Sequence, residues 1–226
     1  MIGVIAPMAA EYRTARILGR AGCRVLHGGV GLARAERAAE ALLEAGAERL
    51  LVWGTAGGLK EYLRPGSLLL PESVKSPDGE RYGLDAAWRH SLAARLPVEI
   101  PVVEAPLVSV ARPVATLEAK RILARESGAV AVDMETAAVA RVAARHGVPC
   151  AVIRAVADPL ELPLPSVVLA ARTDRLLPLE IPARLLLRPR DARSLFALGR
   201  AFADARATLS QSAVALADSL REAVQG

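Results

Sequence analysis

The sequence predicts a single α/β domain in which a twisted, mixed central β-sheet is flanked by helices. Short apolar runs alternate with helical patterns along the 226 residues, and 53% of the residues are hydrophobic, which is ample for one core. Two apolar runs end in a carboxylate, and two others lead into glycine-rich segments. Because ligands of open α/β sheets bind at the ends of strands, we expect the functional residues at these junctions.

The N-terminal strand leads into a helix that carries an acid. The strand covers Ile2–Ala6. Pro7 suits the first turn of the following helix, because the N–H that proline lacks has no partner there. Glu11 lies in the first turns of that helix. It either complements the positive end of the helix dipole or presents a carboxylate over the C-terminal end of the strand, and the local sequence leaves both open.

Two glycine-rich segments follow the second and third strands. Cys23–Leu26 is the second strand, and residues 27–31 (HGGVG) and a helix over Leu32–Ala45 follow it. The third strand, Leu50–Trp53, runs into a glycine-rich turn at residues 54–58 (GTAGG). Glycines let the backbone approach a ligand closely, and a helix N-terminus favours an anion or a polarised oxygen. We therefore expect both segments at a binding site.

Residues 130–159 join two strands through one helix, and each strand is followed by an acid. Glu135 follows the first strand and Asp158 follows the second. The local alternatives are that Glu135 stabilises the N-terminus of the helix and that Asp158 is a turn residue before Pro159. Two such junctions around one helix favour a shared site instead. Desolvation at the end of an apolar strand favours the protonated form of a carboxyl group, which suits it to donate a proton.

The remaining patterns complete the domain. They predict strand or hairpin pieces at Ser67–Pro71 and Tyr82, helices over Leu84–Leu96 and Thr116–Arg125, and strands over Ile100–Val103 and Leu107–Val110. Residues 159–226 are expected to form a Pro/Leu/Arg-rich loop over the active face and then a C-terminal helical segment. An amphipathic helix is predicted from Asp191 onward, with one apolar side made by Leu195, Leu198, Phe202 and Leu209.

The net charge of +5 is concentrated near the C-terminus, where 8 arginines and 4 acids lie between Arg172 and Arg206. An anionic membrane surface and a merely solvated helix face both remain open for this segment. A membrane contact would fall in residues 184–193, which hold Arg184, Arg188, Arg190 and Arg193. Nucleic acid is not expected as a partner, because aromatic residues make up only 3% and no nucleic-acid motif is present.

Location and cofactors follow from what the composition offers. No apolar run reaches the length of a membrane span, and the chain begins with a strand rather than a basic signal segment, so we expect a cytoplasmic protein. Cys23 and Cys150 are expected to be buried free thiols. Together with three histidines they offer no metal-ligand spacing, and we expect neither a metal nor an organic cofactor.

Five motifs between Met1 and Asp158 resemble, in order, those of the nucleoside phosphorylase/nucleosidase superfamily. They are IGVIAPMAAE, GGVGLARA, WGTAGGL, AVDMETAAVA and VIRAVADP. The resemblance implies a nucleoside phosphorylase-like fold, and methylthioadenosine/S-adenosylhomocysteine nucleosidases are the nearest well-known members. The segment after Asp158, with VADPLELPLP and a basic Leu-rich tail, is similar instead to the hopanoid-associated phosphorylases, which are thought to remove adenine from adenosylhopane.

The resemblance implies two catalytic residues. Asp158 matches the acid that protonates or hydrogen-bonds N7 of the purine as it leaves, and Glu11 matches the base that activates a water. Breaking an N-glycosidic bond develops positive charge on the sugar and negative charge on the base, so an acid and a carboxylate-rich pocket suit the reaction. The residues implied to contact the ribose, the nucleophile, the acid or the base are Glu135, Met134, Thr55, Ala56, Gly57, Arg154, Arg112 and Val114.

Two departures from the family pattern concern the base. The aromatic residue that stacks on adenine has no aromatic counterpart, since residues 110–113 read Val-Ala-Arg-Pro. Ala157 replaces a serine that helps to orient the acid, so that orientation is either missing or supplied by another residue.

The favoured function is removal of adenine from adenosylhopane in hopanoid synthesis. One alternative is a nucleosidase that acts on methylthioadenosine, S-adenosylhomocysteine or a futalosine-like nucleoside. Another is a non-catalytic nucleoside-binding protein, against which the three acids argue. Water and phosphate both stay open as nucleophile, because Arg34 either holds phosphate at its helix N-terminus or is a surface residue. We expect a homodimer.

Overall fold

A computed structural model of the chain describes residues 1–162 and 189–225. These residues form ten strands, six α-helices and one 3-10 helix at Arg16–Ala21. The strands are β1 Ile2–Ala6, β2 Arg24–His27, β3 Arg49–Gly58, β4 Leu68–Leu69, β5 Ser73–Lys75, β6 Arg81–Gly83, β7 Val102–Val103, β8 Leu107–Ser109, β9 Ala131–Asp133 and β10 Cys150–Asp158. The helices are α1 Ala9–Ala15, α2 Leu32–Glu44, α3 Ala86–Ala93, α4 Leu117–Ser127, α5 Thr136–His146 and α6 Pro189–Gln225.

The strand β3 is the centre of one mixed ten-stranded sheet. Its first half lies between β1 and β10, which run parallel to it, and its second half lies between β10 and the antiparallel β9. From β9 the sheet continues through β8 and β5 to β6, and from β10 it continues through β4 to β7. This topology confirms the mixed central sheet of a single α/β domain.

Helices cover both faces of the sheet. Side chains alternate along a strand, so neighbouring residues of β1 and β3 enter different cores. Ile5 and Val52 belong to the core that contains the apolar faces of α2 and α5. Val4 and Leu51 belong to the core that contains residues of α1 and α6. The sequence prediction of flanking helices is thereby confirmed.

The pairing of β10 with β3 contains one irregularity near its end. Arg154 is opposite Gly54 and Val156 is opposite Ala56, but Asp158 is opposite Gly57, so Ala157 is an extra residue in β10. Such a β-bulge changes the direction in which the following side chain points. Here the following side chain is that of Asp158.

Two local predictions are wrong. Pro7 does not lie in the first turn of α1, because Met8 is the N-cap and the helix begins at Ala9. Residues 54–58 do not form a turn, because they continue β3 and pair with β9 and β10. A side chain is nevertheless excluded at Gly54, where a Cβ would lie 2.7 Å from the carboxyl carbon of Glu11 and 2.6 Å from Nη1 of Arg154.

Other predictions differ only at their ends. α5 ends at His146, and its C-cap Gly147 has the left-handed backbone that glycine favours, with φ of 66°. Met134 lies between β9 and α5, outside both elements. Cys23 and Cys150 are buried free thiols, as expected. No helix within residues 1–162 and 189–225 is long and apolar enough to cross a membrane. Of the arginines expected to touch a membrane, Arg184 and Arg188 lie outside the described residues.

Candidate active site

A cavity of about 540 Å³ opens where β1, β3, β9 and β10 end. The carboxyl groups of Glu11, Glu135 and Asp158 all line it. Each acid comes from a different part of the chain, and each follows or ends a strand, which is the reason the sheet brings them together. Eight of the predicted site residues line the cavity: Glu11, Thr55, Ala56, Gly57, Val114, Met134, Glu135 and Asp158.

Glu11 both caps its own helix and contacts the central strand. Its Oε2 accepts a hydrogen bond from the backbone N–H of Met8, at 2.8 Å. Its Oε1 accepts from the backbone N–H and the hydroxyl of Thr55, each at 2.7 Å. The side chain is therefore fixed at the floor of the cavity, with only 1% of the residue exposed. Glu11 therefore caps α1 and also contacts the second half of β3.

Arg154 lies behind the cavity rather than in its wall. The residue is fully buried, and its Nη2 donates to Oδ2 of Asp133 and, at 3.2 Å, to Oε2 of Glu135. Asp133 also accepts from the Ser109 hydroxyl at 2.5 Å. Although burial opposes its charge, the neighbouring carboxylates raise the pKa of Arg154. Any effect of Arg154 on a ligand would thus be transmitted through the carboxylates that it holds.

Glu135 shares this buried network and also contacts the first glycine-rich segment. Its Oε1 accepts from the backbone N–H of Gly31 at 2.9 Å. Gly31 has φ of 101°, which side chains rarely allow, so the glycine is needed to present that N–H. Burial raises the pKa of Glu135 to about 7, against the opposing effect of Arg154 and with further raising by Asp133. The segment HGGVG therefore presents an N–H to a carboxylate of the protein itself.

Asp158 forms an ion pair with Lys120, a residue that was not predicted from the sequence. The ammonium of Lys120, in the first turn of α4, donates to Oδ1 of Asp158 at 2.8 Å. It also donates to the backbone carbonyls of Asp158, at 3.1 Å, and Pro159, at 2.8 Å. Burial lowers the pKa of Lys120 and Asp158 opposes that shift. The available signal was weak: Lys120 shares one buried stripe of α4 with Ala124 and Ser127.

The rest of the cavity wall is aliphatic or comes from the C-terminal helix. Val110, Pro113 and Val114 form an aliphatic part of the lining. Arg112, predicted to contact substrate, is exposed and is not part of the lining. Helix α6 contributes an apolar wall made by Leu195, Leu198, Gly199 and Phe202. From the sequence, this wall was predicted only as one side of an amphipathic helix.

Arg34, which the sequence left open as a phosphate ligand, is exposed on α2. It does not line the cavity, and its side chain lies against Gly29, where a Cβ would meet its Cδ at 2.8 Å. This position agrees with the alternative of a surface residue.

Comparison with known proteins gives one family and one fold. The family model described as "Phosphorylase superfamily" matches residues 4–166. No curated protein matches the sequence at a significant level. Among solved structures, the chain is similar to a 5′-methylthioadenosine/S-adenosylhomocysteine nucleosidase of Helicobacter pylori, with 19% identity, a TM-score of 0.72, and coverage of 98% of this chain and 97% of that chain.

Two further structures show the same likeness. The Neisseria meningitidis 5′-methylthioadenosine/S-adenosylhomocysteine nucleosidase, in complex with methylthio-immucillin-A, has 21% identity and a TM-score of 0.72 over 96% of this chain and 97% of that chain. Futalosine hydrolase of Helicobacter pylori strain 26695 has 19% identity and a TM-score of 0.72 over 98% of this chain and 97% of that chain. At these identities the likeness establishes the fold.

Proposed function

Because the chain belongs to the phosphorylase superfamily, we propose that it cleaves the N-glycosidic bond of an adenine nucleoside. The observation that carries this proposal is the meeting of Glu11, Glu135 and Asp158 in one cavity of about 540 Å³. The reaction needs an acid for the leaving base and negative charge near the sugar, and these three groups can supply both.

The proposed roles follow from the position of each group. The bond between C1′ and N9 breaks and its electron pair leaves with the base, while Asp158 gives a proton to N7. Glu135, next to Met134 in the wall, accepts hydrogen bonds from the ribose hydroxyls and stabilises the positive charge that develops on the sugar. Glu11 takes a proton from the water whose oxygen forms the new bond to C1′. Its hydrogen bonds to Met8 and Thr55 hold it in place for that step.

The nucleophile is tested directly at Glu11. If water attacks, Glu11→Gln abolishes release of adenine while wild-type activity is the same with and without phosphate. The products are adenine and a free sugar, which chromatography separates. A sugar-1-phosphate that forms only with phosphate would show a phosphorylase, and Glu11 would then position the sugar hydroxyls instead. Absence of any cleavage by the folded wild type would favour a non-catalytic nucleoside-binding protein.

The substrate is proposed to be an adenine nucleoside with an apolar 5′ group. The wall that α6 contributes is apolar, and proteins of this fold include nucleosidases named for methylthioadenosine. Methylthioadenosine, whose 5′ methylthio group is apolar, is therefore the first compound to assay. S-adenosylhomocysteine and a futalosine-type nucleoside, which carry polar 5′ extensions, are compared with it. Release of adenine from one of them, at a rate far above that from adenosine, is the expected result. Equal rates for all of them would contradict a role for the apolar wall in selection.

Adenosylhopane is a second candidate substrate. One observation favours it: Phe196, next to Leu195 of the cavity wall, is 76% exposed, so apolar surface continues beyond the cavity. The same assay with adenosylhopane in mixed micelles tests this candidate, with methylthioadenosine alongside. A strong preference for methylthioadenosine would exclude the lipid as the main substrate.

Two associations accompany this proposal. Contact with an anionic membrane through residues 184–193 is tested by co-sedimentation with anionic vesicles, in which replacing Arg184, Arg188, Arg190 and Arg193 by Gln abolishes binding. A homodimer is tested by light scattering on a sizing column. A wild type that ignores vesicles at low salt, or elutes as a monomer, contradicts the corresponding expectation.

A further inference from the structure

We propose that Lys120 positions Asp158 and stabilises its carboxylate as the proton passes to the leaving base. This inference rests on the proposed function, because it concerns the acid of that reaction. Lys120 is fully buried, and its ammonium forms an ion pair with Asp158, with 2.8 Å between Nζ and Oδ1. A buried lysine is rare unless it is paired, so a specific partner is the expected reason for its presence.

The Lys120 ammonium has an acceptor for each of its N–H groups. It carries three N–H donors, and three oxygens lie within hydrogen-bond distance: Oδ1 and the carbonyl oxygen of Asp158 and the carbonyl oxygen of Pro159. Two of these acceptors belong to the backbone at the end of β10, at Asp158 and Pro159. Lys120 therefore fixes the turn that carries the acid as well as one oxygen of the acid itself.

Lys120 contacts Oδ1 of Asp158, and the other carboxylate oxygen is Oδ2. The latter oxygen lies beside Gly57 of the cavity wall, where a Cβ would be 3.3 Å from it. When the bond between C1′ and N9 breaks, the proton goes from Asp158 to N7, and Asp158 becomes a carboxylate next to the Lys120 ammonium. Charge that appears on Asp158 in the transition state thus meets a fixed opposite charge, which costs no reorganisation of solvent.

This assignment also accounts for Ala157. The serine that helps to orient the acid in the family pattern is replaced by alanine here. Ala157 lies in a buried apolar cluster and has no hydroxyl to offer. The orientation comes instead from Lys120, which reaches Asp158 from α4. Helix α4 itself is anchored by Ala124, which packs with Leu59, Val108 and Val132.

A double-mutant cycle separates this role from a merely structural one. The variants are Lys120→Met, Asp158→Asn and both together. Lys75→Met is the matched control, because the Lys75 ammonium donates to the backbone carbonyl of Glu126 at 3.4 Å and Lys75 does not line the cavity. Lys120→Met is expected to lower kcat for methylthioadenosine by about 10²-fold with little change in KM, the scale of general acid catalysis. In the Asp158→Asn background the same change is expected to cost almost nothing, because both act on one proton transfer.

A conservative variant adds a second readout. Lys120→Arg retains the charge and is expected to recover part of kcat, whereas Lys120→Gln retains donors without the charge and is not. If Lys120→Met does not fold, Lys120→Gln replaces it in the cycle. Folding is expected to survive, because the side chain of Asp158 is 17% exposed and can be solvated.

The outcomes distinguish the inference from the function on which it rests. Losses from Lys120→Met and Asp158→Asn that multiply in the double variant would overturn the positioning role. A rise in KM without a fall in kcat would also overturn it. A loss from Lys75→Met as large as that from Lys120→Met would overturn it too. A folded wild type that releases no adenine from any adenine nucleoside would instead contradict the proposed function itself.

Discussion

Two buried cations lie beside the cavity, and they pair with different numbers of carboxylates. Arg154 forms ion pairs with Asp133 and Glu135, and Glu11 is close enough to raise its pKa further. Lys120 forms an ion pair with one carboxylate, that of Asp158. On the proposed sugar side, negative charge exceeds positive charge, whereas on the proposed base side the two are balanced once Asp158 has given up its proton. The unequal distribution suits a reaction in which the sugar becomes positive and the base becomes negative.

The excess of negative charge has a visible electrostatic consequence. Glu135 is buried among carboxylates, and its pKa is raised to about 7, chiefly by burial and also by Asp133 and Glu11. A ligand that becomes cationic would relieve this strain between like charges. The proposed sugar side is therefore costly to hold together when the cavity has no cationic occupant.

The largest effect is expected on stability, from removal of the cation shared by several acids. Arg154→Met leaves Asp133 and Glu135 buried without their partner and should lower the free energy of unfolding by about 3–5 kcal/mol. Urea denaturation followed by circular dichroism measures it. The matched control is Arg145→Met, at an arginine whose side chain is 52% exposed beside Glu40. Equal losses of stability in Arg154→Met and Arg145→Met would contradict this prediction.

The next effect is expected on turnover, from the balanced side. Asp158→Asn retains the shape of the side chain but removes the proton to be transferred, so turnover should fall by at least about 10²-fold. Steady-state release of adenine measures kcat, and circular dichroism checks the fold. Asp218→Asn, at an acid whose side chain is 60% exposed, should leave kcat unchanged. Near-normal activity in a folded Asp158→Asn protein would refute the assignment of the acid.

The smallest effect is a pH dependence that only the negative side should show. The pKa of Glu135 rises from its ordinary value of 4.5 to about 7 on folding. Between those pH values the native state retains a proton that the unfolded state has lost, so this residue makes stability fall as pH rises, by at most about 1.4 kcal/mol per pH unit. Above about 7 its contribution no longer changes.

The measurement is urea denaturation of wild type and Glu135→Gln across that range of pH. The difference between the two proteins isolates Glu135 from other titrating groups. We expect wild-type stability to decline relative to the variant up to about pH 7 and then to run parallel to it. A constant difference over the whole range would show that Glu135 titrates normally and that the sugar side carries no excess charge.

The sequence was sufficient to find the three acids and insufficient to find their partners. Glu11, Glu135 and Asp158 were visible because each follows an apolar strand, and strand ends meet at one edge of a sheet. Lys120 was not visible, since a lysine on a helix is ordinarily solvated. Its burial depends on the Asp158 carboxylate and on two carbonyls at the end of β10. The partners depend on contacts between segments that are distant in sequence.

Strand β3 shows the same limit for the fold. Residues 54–58 contain three glycines, and glycine weakens a strand, so a turn was the local prediction. The segment stays extended because β9 and β10 pair with it on either side. The glycine at 54 is needed because the Glu11 carboxylate and the Arg154 guanidinium occupy the space of a side chain. Neither cause can be read from the local sequence.

The extra residue in β10 separates two adjustments that a regular strand would link. Arg154 is held in register with Gly54, and the bulge at Ala157 then sets the direction of Asp158 independently. Because side chains alternate along a strand, deletion of Ala157 would rotate the acid to the opposite face while leaving Arg154 where it is. The bulge therefore allows the direction of the Asp158 side chain to change without moving Arg154 or the carboxylates of Asp133 and Glu135 that it contacts.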